Sequence, residues 1–142
     1  MTSKTRLPVP GFKPPPFSPS VGAARVALGP ELPPVFSGDP RLLEQLQQAG
    51  QELADPVWPM PLWDPYDEEL VSRIADLNHA PAGGMAGSIT AALFLRRFVV
   101  SPERWIHLDI YGWNQRERPG RPQGAEDQGM RAVACLLARR YG

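Results

Sequence analysis

Cysteine is almost absent from this sequence, since Cys135 is the only one in 142 residues. It has no partner for an internal disulfide, which indicates a reducing cytoplasm. Charge of one sign does not dominate either, because 15 basic residues balance 15 acidic ones. This balance offers no electrostatic reason for binding nucleic acid or an anionic membrane surface. We therefore expect a cytoplasmic protein whose partners include neither nucleic acid nor a membrane.

Long hydrophobic runs are also missing. The longest, from Ile89 to Val100, is interrupted by two arginines and falls short of the ~20 residues that a membrane span requires. The first residues contain no hydrophobic signal region, so nothing in them predicts export. The length suits a single domain with a modest core, by a rule of roughly 100 to 200 residues per domain.

Residues 1–20 differ in composition from the rest of the chain. This segment is rich in proline and contains both lysines, Lys4 and Lys13, whereas every later basic residue is arginine. Proline removes backbone donors and fixes φ, which favours an extended segment over helix or sheet. We predict a disordered arm at 1–20 and a folded unit at 21–142. A proline-motif ligand for an SH3-like partner is the alternative interpretation of the arm.

The central part of the chain predicts a helix, a turn and a strand. Residues 86–100 are apolar on nearly every side, which is typical of a buried helix. Ser101-Pro102 ends the helix, and Trp105 to Ile110 is predicted to be a strand. Ligands of open α/β sheets bind beyond the carboxyl ends of strands. The following segment, Tyr111 to Asn114, is therefore expected to form the wall of a pocket.

Four other elements flank this unit. A short helix is predicted at 22–30, closed by Gly29-Pro30. A strand is expected at 35–37, followed by a helix that Asp39-Pro40 begins. Asp64-Pro65 begins another helix that should end near Asn78, and a last helix is expected over 127–141. Helices that alternate with short apolar strands predict an α/β fold with the sheet covered on its faces.

Two motifs suggest chemistry but have simpler interpretations. His107 and Asp109 are two residues apart on the predicted strand, so they share a face and could ligate a metal or transfer protons. A third ligand is missing nearby, and a hydrogen-bonded core pair is the favoured interpretation. The glycine-rich turn at 83–88 is similar to an anion-binding turn, but no Gly-Lys-Ser/Thr follows, which argues against a nucleotide P-loop. Its glycines more simply allow the backbone to pass close to a cleft.

Several blocks resemble one known family in order along the chain. They are GAARVALGP (residues 22–30), VWPMPLW (57–63), the block from Tyr66 to Asn78, ADLNHAPAGGMAGSITAALFLRRFV (75–99), WIHLDIYGWN (105–114) and GMRAVACLLARRYG (129–142). Together they resemble the C-terminal part of the catalytic domain of the leucyl aminopeptidases of the M17 type. The resemblance implies a fragment of a three-layer α/β/α metallopeptidase domain. It also implies that the family's members form hexamers, so a homo-oligomer is expected.

The resemblance implies an enzyme that uses two divalent metals, manganese or zinc, to release the N-terminal residue of a peptide. By position in the motifs, Gly22, Tyr111 and Asn114 fall where related enzymes bind the substrate. The alternative interpretation of Tyr111 is a buried aromatic residue whose hydroxyl has a hydrogen-bond partner.

The sequence departs from the family where the metals are held. The family's NTDAEGR motif does not occur in these 142 residues, and Lys4 and Lys13 lack matching surroundings. Where the family has Thr-Leu-Thr-Gly, this chain has Pro19-Ser20-Val21-Gly22, so only the glycine is kept. We therefore expect neither a catalytic residue nor a metal ligand in this chain. A peptide would be a substrate only if the missing residues were supplied.

Three hypotheses follow. The first is the C-terminal portion of a metalloaminopeptidase that is inactive by itself. The second is a non-catalytic remnant or pseudoenzyme that packs with an intact homologue. The third is a misplaced start or a frameshift, which the change of composition at residue 20 suggests. In each case apolar helix faces should lack a cover, so the lone chain should be marginally stable or prone to aggregate.

Overall fold

The computed structural model describes residues 19–78 and 84–142, with side chains from residue 24 onward. Most of the arm predicted at 1–20 lies outside this part, as does His79, but Pro19 and Ser20 begin the first helix. The four α-helices of the described part are α1 (Pro19–Leu28), α2 (Pro40–Glu52), α3 (Gly87–Arg96) and α4 (Met130–Tyr141). The strands are β1 (Pro34–Phe36), β2 (Trp58–Pro59), β3 (His107–Leu108), β4 (Trp113–Asn114) and β5 (Gly124–Ala125). Two 3-10 helices lie at Asp64–Leu70 and Pro102–Arg104.

The three strands β2, β1 and β3 form a mixed sheet in that order. The central strand β1 runs parallel to β2 and antiparallel to β3, with Val35 opposite Leu108 and Phe36 opposite His107. Strands β4 and β5 form a separate antiparallel pair. The predicted α/β fold is confirmed.

Helices cover both faces of the sheet. Because side chains alternate along a strand, Val35 and Leu108 point to one face, where α2 and α4 pack against each other. Leu42 and Leu46 on α2 join this core with residues of α4. On the opposite face Asp109, just after β3, contacts α3, which also packs against α1 and the first 3-10 helix. Helix, sheet and helix therefore form three layers.

The start of α2 follows the local sequence. Asp39 has extended backbone angles and its carboxylate accepts a hydrogen bond from the Arg41 N–H at 2.9 Å. Pro40 occupies the first helical turn, where its missing N–H costs nothing. The predicted N-cap at Asp39-Pro40 is confirmed.

The start of α4 depends on a distant residue. The buried carboxylate of Asp55 accepts hydrogen bonds from the N–H groups of Gly129 and Arg131, both at 2.9 Å, and of Ala132 at 3.2 Å. These are backbone donors that a helix start leaves without an intrahelical partner. Gly129 has a φ of 76°, and a Cβ there would lie 2.5 Å from Leu108 Cδ2. Consequently α4 begins at Met130 rather than at the predicted Asp127.

Three predicted elements are shorter than expected. Helix α3 ends at Arg96, and Phe98 and Val100 beyond it are exposed, so the prediction of a fully buried helix over 86–100 is wrong. The helix after Asp64-Pro65 is a 3-10 helix that ends at Leu70, because the Leu70 carbonyl accepts from Asn78 N–H and closes the intervening residues into a loop. The predicted strand over 105–110 is reduced to β3, in which His107 and Leu108 lie opposite Phe36 and Val35, and one further hydrogen bond follows from the Asp109 N–H to the Pro34 carbonyl at 3.0 Å. No helix of the described residues is both long and apolar enough to span a membrane.

Candidate functional site

The segment after β3 turns sharply toward α1. Gly112 has a φ of 68°, a left-handed conformation that glycine adopts without a Cβ clash. The turn brings the ring of Tyr111 under the guanidinium of Arg25, whose Cζ lies 3.7 Å from the ring centroid. A planar guanidinium on an aromatic ring is a favourable cation–π contact. Tyr111 therefore faces α1, the helix that also contains Gly22.

Gln128 holds this arrangement in place. Its Oε1 accepts hydrogen bonds from the N–H groups of Tyr111 at 3.1 Å and Gly112 at 3.3 Å. Its Nε2 donates to the carbonyl of Pro30 at 2.6 Å. One buried amide thus joins the turn after β3 to the segment after α1. Neither Gln128 nor Arg25 was expected from the sequence, because both contacts join residues far apart in the chain.

A small cavity lies between α1 and the turn. Arg25, Asp109, Tyr111 and Gln128 line it together with Ala24 and the segment from Gly29 to Pro34. Its volume is about 10 Å³, which is close to the minimum for a single water molecule. The space beside Tyr111 is therefore nearly filled by the protein itself.

Asp109 and His107 have separate partners. The buried Asp109 carboxylate accepts a hydrogen bond from Ser88 Oγ at 3.0 Å, which ties α3 to the sheet. The His107 ring stacks with Phe36 and Trp105, at centroid distances of 5.9 and 6.0 Å. Burial lowers the pKa of His107 below its usual value, and the nearby Asp109 charge opposes this only in part. The expected hydrogen bond between the two is therefore wrong, whereas their placement in the framework is confirmed.

Asn114 serves a different part of the structure from Tyr111. Its buried side-chain Nδ2 donates to the carbonyls of Arg121 at 2.9 Å and Pro122 at 3.0 Å, so it holds the loop between β4 and β5. It also lines a cleft of about 450 Å³ on the far side of the turn, with Trp113 and Arg116. The structure thus brings Tyr111 to α1 and places Asn114 beside a neighbouring cleft.

Ion pairs form one wall of that cleft. The carboxylate of Glu126, largely buried, accepts hydrogen bonds from Arg118 and Arg121. Arg118 also pairs with Glu31. The hydrogen bond to Glu126 raises the pKa of Arg121 above its usual value. The residues that line the cleft include two arginines, Arg116 and Arg118, and three glutamates, Glu31, Glu117 and Glu126, so the lining carries a net charge of about −1.

The described residues do not offer a metal centre. In residues 24–78 and 84–142, no three side chains of histidine, cysteine, aspartate or glutamate come together as a metal would require. Asp55 and Asp109, both buried, use their oxygens for backbone and serine donors instead. The donor set of this part therefore does not fit a pair of divalent metals.

Comparison with known proteins decides the family. A model of the cytosol aminopeptidase family, catalytic domain, matches residues 20–135. The chain belongs to the cytosol aminopeptidase family. A probable cytosol aminopeptidase of Geobacter sulfurreducens is 45% identical over 118 residues, which cover 82% of this chain and 23% of that protein. This family member thus spans about a quarter of the length of such a relative.

Solved structures that are similar to this chain agree with its fold. The cytosol aminopeptidase of Coxiella burnetii superimposes with a TM-score of 0.79 at 45% identity, over 85% of this chain and 26% of that one. The bottromycin maturation enzyme BotP, in complex with manganese, gives a TM-score of 0.75 at 28% identity, over 83% and 26%. The resemblance to the aminopeptidases and the α/β architecture are confirmed. The expected substrate contacts of Gly22, Tyr111 and Asn114 stay predictions.

Proposed function

We propose that this chain carries the substrate-pocket part of a metal-dependent aminopeptidase and releases N-terminal residues from peptides only when a metal-binding part is supplied. The match to a quarter of a cytosol aminopeptidase is the observation on which this proposal depends. The pocket is assigned to the turn at Tyr111 and the facing helix α1, with Gly22 on α1 and Asn114 at the far end of the turn. Relatives named cytosol aminopeptidases support a cytoplasmic location for the working enzyme.

The chemistry of the residues supports a division of roles. Manganese, as in BotP, and zinc need several carboxylate or imidazole donors that converge on the ion. The described residues lack such a group, and the chain contains no NTDAEGR motif. No step of the reaction is therefore assigned to a side chain of this chain. Tyr111 and its neighbours would orient the first residue of the peptide and exclude water from it.

The experiment is a completed chimera. The part of the Geobacter sulfurreducens relative that precedes the matched region is fused to residues 20–142 of this chain. The chimera and the chain alone are assayed with manganese or zinc on chromogenic alanyl and leucyl amides. We expect metal-dependent turnover by the chimera and background rates with the chain alone. A well-folded chimera that binds metal but releases neither amino acid would contradict the assigned role.

The second candidate is a non-catalytic remnant that packs with an intact homologue. Its specific support is the set of exposed apolar side chains around α3, which are Met85, Leu95, Phe98 and Val100. Exposed apolar groups of this kind mark surfaces that are covered in a complete protein. Co-purification with an intact aminopeptidase, weakened by Phe98→Ser and kept by Arg104→Ser, would support this candidate. Equal capture of both variants would contradict it. The same exposed surface would also serve a homo-oligomer of this chain, which the resemblance to a hexameric family implies.

A further inference from the structure

The contact between Arg25 and Tyr111 removes apolar surface from the proposed pocket. At 3.7 Å from the ring centroid, the guanidinium covers one face of the phenol ring. An aromatic face is the kind of surface against which a leucine side chain would pack. With that face already occupied, a substrate meets a cation on the α1 side, and only the edge and the other face of the ring are left for apolar contact.

The backbone that carries the ring is also held in place. Gln128 accepts hydrogen bonds from both N–H groups of the Tyr111-Gly112 segment and donates to Pro30, just beyond α1. The Tyr111 hydroxyl accepts a further hydrogen bond from Gln115 Nε2 at 3.4 Å. The same buried amide therefore joins the backbone of Tyr111 to the segment just beyond α1, while the ring itself is held by Arg25 and by Gln115.

The remaining space is small. The cavity lined by Arg25, Tyr111, Asp109 and Gln128 has a volume of about 10 Å³, which is enough for about one water molecule. The four carbons of a leucine side chain do not fit there without displacing Tyr111 or Arg25. A hydrogen atom or a single methyl group requires little or no displacement.

We propose that Arg25 and Tyr111 together restrict the pocket for the first side chain, so that the completed enzyme acts on peptides that begin with glycine or alanine rather than leucine. This inference rests on the proposed function, because it takes Tyr111 to face the substrate. It makes Arg25 a specificity-determining residue. Arg25 itself lies three residues after Gly22 on α1, and Tyr111 is its partner in that role.

The test compares kcat/KM for alanyl and leucyl amides in the completed chimera. We expect alanine to be preferred by about tenfold or more, the scale on which a pocket discriminates by a few carbons. Tyr111→Ala and Arg25→Ala should each raise kcat/KM for leucine and shrink the preference. Tyr111→Phe, which keeps the ring, and Arg104→Ala, which removes an exposed arginine elsewhere, should leave the ratio unchanged. A merely structural role would lower both rates without changing their ratio.

A second measurement keeps the inference testable if the chimera is inactive. The intact Geobacter sulfurreducens relative is given residues 22–30 and 105–114 of this chain, with and without Tyr111→Ala. A shift toward alanine that Tyr111→Ala reverses supports the inference. A preference that is the same in both grafts overturns it. An inactive but folded chimera contradicts the proposed function, whereas an active chimera that prefers leucine contradicts only the restricted pocket.

Discussion

The carboxylate of Asp55 should be a principal support of α4, and its removal gives a sharp prediction. The side chain is only 2% exposed, and its two oxygens accept three backbone hydrogen bonds. Replacement of a capping residue by alanine costs about 0.5 to 2 kcal/mol, and a negative charge at a helix start adds about 0.3 to 1 kcal/mol. Buried N–H groups left without a partner add to this cost. We expect Asp55→Ala to lower the free energy of unfolding by about 3 kcal/mol.

Urea unfolding followed by tryptophan fluorescence measures this loss. With a slope of about 1 to 3 kcal/mol per molar urea, the midpoint should fall by roughly 1 to 3 M. Asp55→Asn is the matched control, because it keeps one acceptor oxygen and the same shape while removing the charge. Asp55→Asn should lower the free energy of unfolding by less than Asp55→Ala does. A change below about 0.5 kcal/mol in Asp55→Ala would refute the capping account, since that is the scale of ordinary surface substitutions.

Two further predictions concern the core. Gly50→Ala should destabilise the protein by about 1 to 3 kcal/mol, because the new Cβ would lie 2.6 Å from the Asp55 carbonyl oxygen. Gln51→Ala, at the exposed neighbouring position of α2, should leave the free energy of unfolding nearly unchanged in the same urea assay. Equal losses of stability in the two variants would refute the clash between a Cβ at position 50 and Asp55. For His107, burial lowers the folded-state pKa, so the unfolded chain binds the proton more readily. The contribution of neutral His107 to the free energy of unfolding is therefore complete above pH 6.5, the usual histidine pKa. It is lost as the pH falls through the lower folded-state pKa. His107→Phe keeps a ring beside Phe36 and should remove this part of the pH dependence, whereas an unchanged profile between pH 7 and 5 would contradict it.

Local signals in the sequence predicted those elements whose causes are local. The N-cap at Asp39-Pro40 fixes the start of α2, and Gly29, with a φ of 75°, ends α1 where expected. The turn at Tyr111 follows from its position after a strand. Each of these depends on residues a few positions apart, so the pattern is visible in the sequence.

Other features depend on contacts between distant residues. The apolar pattern of α3 does not reveal that Phe98 and Val100 lie beyond its last turn and remain exposed. The cap that Asp55 provides for α4 joins residues 74 to 77 positions apart. Gln128 likewise contacts the carbonyl of Pro30, 98 positions away. A single sequence shows no periodicity for such pairs, and they set both the start of α4 and the position of Tyr111.

The most direct test of the central claim uses the purified chain by itself. Manganese or zinc is added, the bound metal is measured after dialysis, and release of alanine and leucine from their chromogenic amides is followed. The proposed division of roles predicts neither stoichiometric metal nor turnover above background from this chain. Bound metal accompanied by metal-dependent turnover would contradict it.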